Sequence, residues 1–249
     1  MRIGNRKRFL FSCIFFTLVM LMFGKWMNIF YEKALGMPSP AVVKAEKGNI
    51  KVGSNKKNMK QYIIVLDAGH GGIDAGTSYK NMQEKDLTFK IAKYAEAYLK
   101  DKGYKVVLTR NEDKLIPLKE IGNIANDSNA DAFISIHINS INDVNFNGIT
   151  TYYYDANGYQ KEQRMSLAET VEKKAIKNDG WEDKGIRRQN LAVLRYSKMP
   201  SVLVECGFIT NEEDRKRLLK DDVLKRLAEN ISDGTIEYLD KNNPKELNK

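Results

Sequence analysis

Cysteine is nearly absent. The chain has two, Cys13 and Cys206, and no CxxC pair, which excludes a zinc ribbon built on paired thiolates. Cys13 lies in an apolar run near the N-terminus and Cys206 deep in the later, globular part, so a disulfide between them is not expected. Cys206 reads as a small buried hydrophobe. Histidine is equally scarce, at two residues, His70 and His137. No internal repeat is found. The glycine-rich stretch 69–76 fits neither GxGxxG nor GxxxxGK followed by Ser or Thr, so it does not signal a phosphate cradle. Close approach of its backbone to a bound group is the alternative use.

A basic folded surface is also missing. The formal net charge is +9, but residues 1–60 hold 12 Lys/Arg against 2 Asp/Glu, and residues 61–249 hold 29 against 30. The excess positive charge therefore lies ahead of the globular part. Nucleic-acid binding needs that charge on a folded surface, and no nucleic-acid partner is expected.

What the N-terminus does have is Arg2, Arg6, Lys7 and Arg8 followed by an apolar run at 9–23. Basic residues before an apolar run form an export signal, with the basic end kept in the cytoplasm. The run is short for a full span. It can be extended past Lys25, which can snorkel, through Trp26 and Tyr31, which suit an interface. No small-x-small cleavage site follows closely. Residues 1–35 are thus expected to be an uncleaved membrane anchor placing the protein outside the cytoplasm, with secretion after cleavage as the alternative. Residues 36–60, rich in Lys with Pro38, Pro40, Gly48 and Gly53, read as a basic linker. The globular domain is set at 61–240, with a polar tail at 241–249.

From residue 61 the pattern alternates. Strands are expected at 62–67, 104–109, 132–137, 149–154, 191–195 and 201–205, and helices at 84–102, 118–129, 163–177, 211–219 and 222–239. That order implies an α/β fold, a single twisted mixed, mostly parallel sheet flanked by helices on both faces. Ligand sites in such sheets gather at the carboxyl ends of the strands.

Both histidines fall there, His70 after the first strand and His137 at the end of the third. Each alone could be a satisfied core histidine. Glu84 opens the first helix, where a carboxylate also complements the helix dipole. Glu205 ends a buried strand, where an ionised carboxylate is costly unless it is paired or faces a metal. A partner such as Arg188 is the structural alternative. Two histidines and a carboxylate match the three protein ligands of a catalytic zinc, and a further carboxylate suits a general base.

The run 65–76, Val-Leu-Asp-Ala-Gly-His-Gly-Gly-Ile-Asp-Ala-Gly, resembles the opening motif of the zinc N-acetylmuramoyl-L-alanine amidases of the amidase type 3 family. Glu84-Lys85, the Ser-Ile-His-Ile-Asn at 135–139 and the Met-Pro-Ser-Val-Leu-Val-Glu-Cys-Gly-Phe-Ile-Thr-Asn at 199–211 resemble its later motifs, in order, through roughly residues 62–240. The resemblance implies that His70, Glu84 and His137 bind Zn2+, that Glu205 is the catalytic acid/base and that peptidoglycan is the substrate. It also implies substrate contacts from Asn139 and from Arg187 and Arg188, placed on a substrate-facing loop. A zinc peptidase acting on wall stem peptides would use the same donors, and a wall-binding membrane protein without catalysis is the reading from another class. The layout of anchor plus bare domain looks like the germination-specific amidases of endospore formers, which act on spore cortex. The sequence identifies no protein regulator.

The boundary at residue 61 is directly testable. A chain beginning near Met59 is expected to be soluble, to unfold cooperatively and to bind one zinc. An insoluble or unfolded product overturns the boundary.

Overall fold

The computed structural model describes residues 61–242. The expected anchor and linker lie outside the described residues, as does nearly all of the polar tail. Among the described residues no helix is long and apolar enough to cross a membrane.

The order of elements is β1 (Ile63–Ala68), a small hairpin of β2 (Ser78–Tyr79) and β3 (Met82–Gln83), α1 (Glu84–Asp101), β4 (Lys105–Leu108), α2 (Leu118–Asp127), β5 (Ala132–Asn139), β6 (Ile149–Tyr153), α3 (Lys161–Ala175), β7 (Asp183–Arg188), α4 (Ala192–Tyr196), β8 (Ser201–Phe208), α5 (Glu212–Leu218) and α6 (Asp221–Lys241). Six strands form one sheet in the order β4-β1-β5-β8-β6-β7. β4, β1, β5 and β8 run parallel, while β6 is antiparallel to β8 and parallel to β7. The fold is thus α/β with a mostly parallel sheet.

Strand alternation divides the core into two layers. Ile64, Leu66, Ile134, Ile136, Val202 and Val204 pack with Ile91, Ala95, Leu99, Leu167, Val171, Leu227 and Ile231 of α1, α3 and α6. The alternate residues Val65, Phe133 and Leu203 pack with Ile121 and Ala125 of α2 and Val193 and Leu194 of α4. The first layer is built from helices of 18, 15 and 21 residues, the second from helices of 10 and 5. Removing a large side chain such as Phe133, which is fully buried, is worth about 3–5 kcal/mol. Cys206 packs in the thicker layer, on the face opposite Glu205, because neighbours in a strand point to opposite sides.

Besides the two-residue strands β2 and β3, too short to carry a pattern, two local assignments differ from the sequence pattern. The strand expected at 191–195 is helix α4. Adjacent Val193 and Leu194 are both buried, which a strand with one packed face does not allow, and so short an apolar run does not distinguish the two states. The strand β7 has no counterpart in the pattern because Asp-Lys-Gly-Ile-Arg-Arg carries a single large apolar residue. Among the described residues it is an edge strand, paired with β6. Its presence moves Arg187 and Arg188 from the expected loop onto a strand.

One buried carboxylate in the thick layer gives the fold a pH dependence. Glu172 of α3 accepts from Thr151 Oγ1 at 2.6 Å. Burial, with Asp183 close by, raises its pKa from 4.5 to about 7. The protonated acid is favoured in the folded state, so its contribution is complete below pH 4.5 and is lost as pH rises to about 7. At ~1.4 kcal/mol per pH unit that loss is about 3 kcal/mol. Glu172→Gln, which resembles the protonated acid, is therefore expected to raise the melting temperature at pH 8 and to leave it nearly unchanged at pH 4.5. An equal effect at both pH values overturns this account.

Candidate metal centre

The site grows from the parallel strands. β1, β5 and β8 end at one edge of the sheet, so Ala68 pairs with Ile136 and His137 with Glu205. Gly69 extends the ladder by donating its N–H to Ile136 O at 3.0 Å, and the next residue is His70. Glu84 reaches the same edge from the other direction. It is the first residue of α1, drawn back by the β2–β3 hairpin.

His70 is in the left-handed region at φ 63, a conformation costing about 1–2 kcal/mol for a residue with Cβ. Asp74 secures it, with Oδ2 2.8 Å from His70 Nδ1, while Asp74 Oδ1 accepts from Gly76 N at 3.0 Å. An ionised carboxylate only accepts, so Nδ1 donates and Nε2 turns toward Glu84 Oε2 at 3.2 Å. The same Oε2 accepts from Thr77 N at 2.9 Å. The other oxygen, Oε1, accepts from Ile138 N at 2.9 Å and lies 3.0 Å from His137 Nδ1. One carboxylate thus bridges both imidazoles, whose ring centres are 5.0 Å apart.

Two glycines make room for this. A Cβ on Gly69 would sit 2.4 Å from His137 Cε1, and one on Gly76 2.5 Å from Glu84 Oε2. The stretch 69–76 is therefore the close backbone approach that its glycines implied, around side chains of the protein itself.

The electrostatics favour positive charge. Burial pushes the Glu84 pKa upward, but the two imidazoles and the Ile138 N–H outweigh it and hold it at about 2. Glu84 raises His70 to about 9, against burial and with help from Asp74. His137 is lowered by burial, but Glu84 and Glu205 outweigh this and the net shift is upward. Burial raises Glu205 to about 7, and among the described residues its Oε2 is buried without a hydrogen-bond partner. Arg188 is not its counter-ion, because that guanidinium pairs with Asp155 and lies over Tyr154.

The donor set fits a zinc ion. One donor atom from each of His70, Glu84 and His137 lies within 4.8 Å of the others, the two-nitrogen, one-oxygen set of a catalytic zinc. Asp74 fixes the His70 ring as an outer carboxylate commonly does. A cleft of about 510 Å³ opens over His70 and His137 on the thinly covered face, walled by Leu115, Pro117, Ile121 and Val193. A second groove of about 550 Å³ lies by Tyr79, Leu87 and Leu219 and contains none of the four residues.

The other site residues expected from sequence fall nearby in different ways. Asn139 ends β5, two residues beyond His137, and its side-chain oxygen accepts from Ser140 N at 2.8 Å. Arg187 pairs with Tyr152, which pairs with Leu203, so it shares a sheet face with Glu205. Arg188 is on the next position and engaged with Asp155. Asp74 was not singled out from the sequence. Its place four residues after His70 inside a glycine-rich turn is the signal that could have found it.

The family model for N-acetylmuramoyl-L-alanine amidases matches residues 64–237. The chain belongs to this family. It is 38% identical over 175 residues to the N-acetylmuramoyl-L-alanine amidase LytC of Bacillus subtilis, a match covering 70% of this chain and 35% of LytC. The chain thus spans about a third of that relative's length. Among solved structures, an N-acetylmuramoyl-L-alanine amidase from Clostridium difficile 630 is similar with TM-score 0.70 and 36% identity, over 74% of this chain and 100% of that one. The CwlD amidase of Clostridioides difficile, solved in complex with the GerS lipoprotein, is similar with TM-score 0.66 and 29% identity, over 73% and 100%.

A methyl group at Gly69 provides a test of the packing. Gly69→Ala must displace the His137 ring, so zinc retained after dialysis is expected to fall well below one per chain. Overpacking of this kind also costs about 1–3 kcal/mol of stability. Full zinc content with an unchanged melting temperature overturns the placement of His137.

Proposed function

We propose that this chain hydrolyses the amide bond between N-acetylmuramic acid and L-alanine in peptidoglycan, with zinc held by His70, Glu84 and His137. The observation that carries this reading is one carboxylate, Glu84, bridging two imidazoles beside a second carboxylate, Glu205, whose Oε2 is buried and unpartnered. Family membership supplies the substrate class.

When bound, zinc supplies Lewis acidity for the carbonyl oxygen and brings the pKa of adjacent water toward about 7. The protein's own groups do the rest. Glu205, buried at the end of β8 with an unpartnered Oε2 among the described residues, accepts a proton as water adds to the lactyl carbonyl carbon. It returns that proton to the alanine nitrogen as the C–N bond breaks. The products are a muramic acid with a free lactyl carboxylate and a peptide with an N-terminal L-alanine. Asp74 keeps the His70 ring oriented throughout. Asn139 and Arg187 are the substrate contacts, with Arg187 suited to a stem-peptide carboxylate.

The finer reading is a role in spore cortex, and it rests on the resemblance of the sequence layout to the germination-specific amidases. The basic N-terminus followed by the apolar run at 9–23 supports an outer-surface enzyme tied to the membrane.

Glu205→Gln separates base from ligand, because the amide keeps the shape and removes the basicity. Zinc content is expected to stay near one per chain while hydrolysis of muramoyl-L-alanine amide falls by ~10²–10⁴-fold. Mass analysis of digested wall and cortex identifies the bond: a new N-terminal alanine supports the amidase, whereas cleavage inside the stem peptide identifies a peptidase. Wild-type turnover in the Gln variant removes Glu205 from the mechanism.

A further inference from the structure

Arg110 follows β4, is 4% exposed and has no part in the chemistry above. Its guanidinium donates to backbone carbonyls of two other segments and of its own loop. Nε donates to Ala68 O at 2.9 Å, and one terminal nitrogen donates to Lys85 O at 2.8 Å and, more distantly, to Gly69 O at 3.4 Å. The other terminal nitrogen donates to Glu112 O at 3.1 Å. From α1, Phe89 lies 4.8 Å from the planar group and Thr88 Oγ1 accepts from it at 3.5 Å, while that hydroxyl itself donates to Gly69 O at 2.8 Å.

The identity of these carbonyls is the point. Ala68 and Gly69 immediately precede His70, and Lys85 immediately follows Glu84. Two of the three metal donors therefore sit on separate segments whose backbones converge on one rigid guanidinium. Lysine cannot reproduce this, since a single ammonium lacks the planar fork that reaches several carbonyls at fixed angles. The left-handed conformation of His70 increases the need for an external brace, because the backbone is not at its own minimum there.

We propose that Arg110 is a positioning residue that sets the separation of His70 and Glu84, and thereby the cation affinity of the site. The zinc part of this rests on the function proposed above, and the geometric part does not. Losing an outer support of this kind weakens metal binding by ~10–100-fold.

The test uses the full chain, with Arg110→Met and Arg110→Lys variants, at a temperature where far-ultraviolet circular dichroism shows each to be folded. Zinc dissociation constants come from competition with a chelator. Metal-free protein is examined by 1H–15N imidazole spectra, in which this two-histidine chain gives two assignable rings. Arg110→Met is expected to raise the zinc dissociation constant by ~10-fold or more and to shift or broaden the His70 signals, with Arg110→Lys intermediate. A dissociation constant within twofold of wild type, with unshifted imidazole signals, overturns the proposal. If Arg110→Met does not fold, Arg110→Lys decides by the same readings. If neither folds, the residue is a determinant of the fold and the proposal is overturned. Wild-type protein that binds no zinc sinks the proposed function instead, while the metal-free spectra still decide the role of Arg110.

Discussion

The bridge that Glu84 makes between His70 and His137 is the contact on which the site depends. A carboxylate and an imidazole lone pair are both acceptors, so facing them at 3.2 Å is stable only with a proton or a cation between them. The protein accepts this arrangement at three linked positions: a left-handed histidine, a carboxylate at a helix start and an imidazole in a strand. The left-handed histidine is costly for folding by itself, and only the carboxylate at the helix start has a local gain, from the helix dipole. Together they form a concentrated negative site that takes up positive charge.

The surrounding fold makes that bridge possible by a simple parity. In β5 and β8 the residues facing the thick helical layer are apolar, whereas Ser135, His137 and Glu205 alternate with them. The thick layer of α1, α3 and α6 supplies most of the burial. The opposite face, closed among the described residues by α2 and α4, leaves a cleft beside the donors. Within it Asp67 is buried and satisfied by Thr109 Oγ1 at 2.6 Å and Ser135 Oγ at 2.7 Å.

The two glutamates divide into roles through their surroundings. Glu84 accepts from two backbone N–H groups and two imidazoles and stays ionised. Glu205 keeps one oxygen buried and unpartnered, and its pKa rises. Under the proposed function, this difference gives Glu84 to metal binding and Glu205 to proton transfer. The separation is produced by the hydrogen bonds from His137 and His70, with the Ile138 N–H adding to them, that Glu84 receives while Glu205 is raised by burial.

The linear pattern by itself determined the alternation of strands and helices, the two-faced sheet and the candidacy of His70, Glu84, His137 and Glu205. Burial of apolar residues with period 2 or 3.6 is a local signal, and a polar residue ending a buried strand is conspicuous without any coordinates. Weakly apolar or very short segments carry no such signal, which is why β7 and α4 were not legible. The tertiary structure alone decided which atoms meet: that Asp74 turns the His70 ring, that Arg188 is taken by Asp155 rather than Glu205, and that Arg110 joins the ends of β1 and α1. Those contacts join residues distant in the chain or depend on the direction of a side chain. No periodicity encodes them, because each is settled only when the strands reach their register and the loops close over their ends.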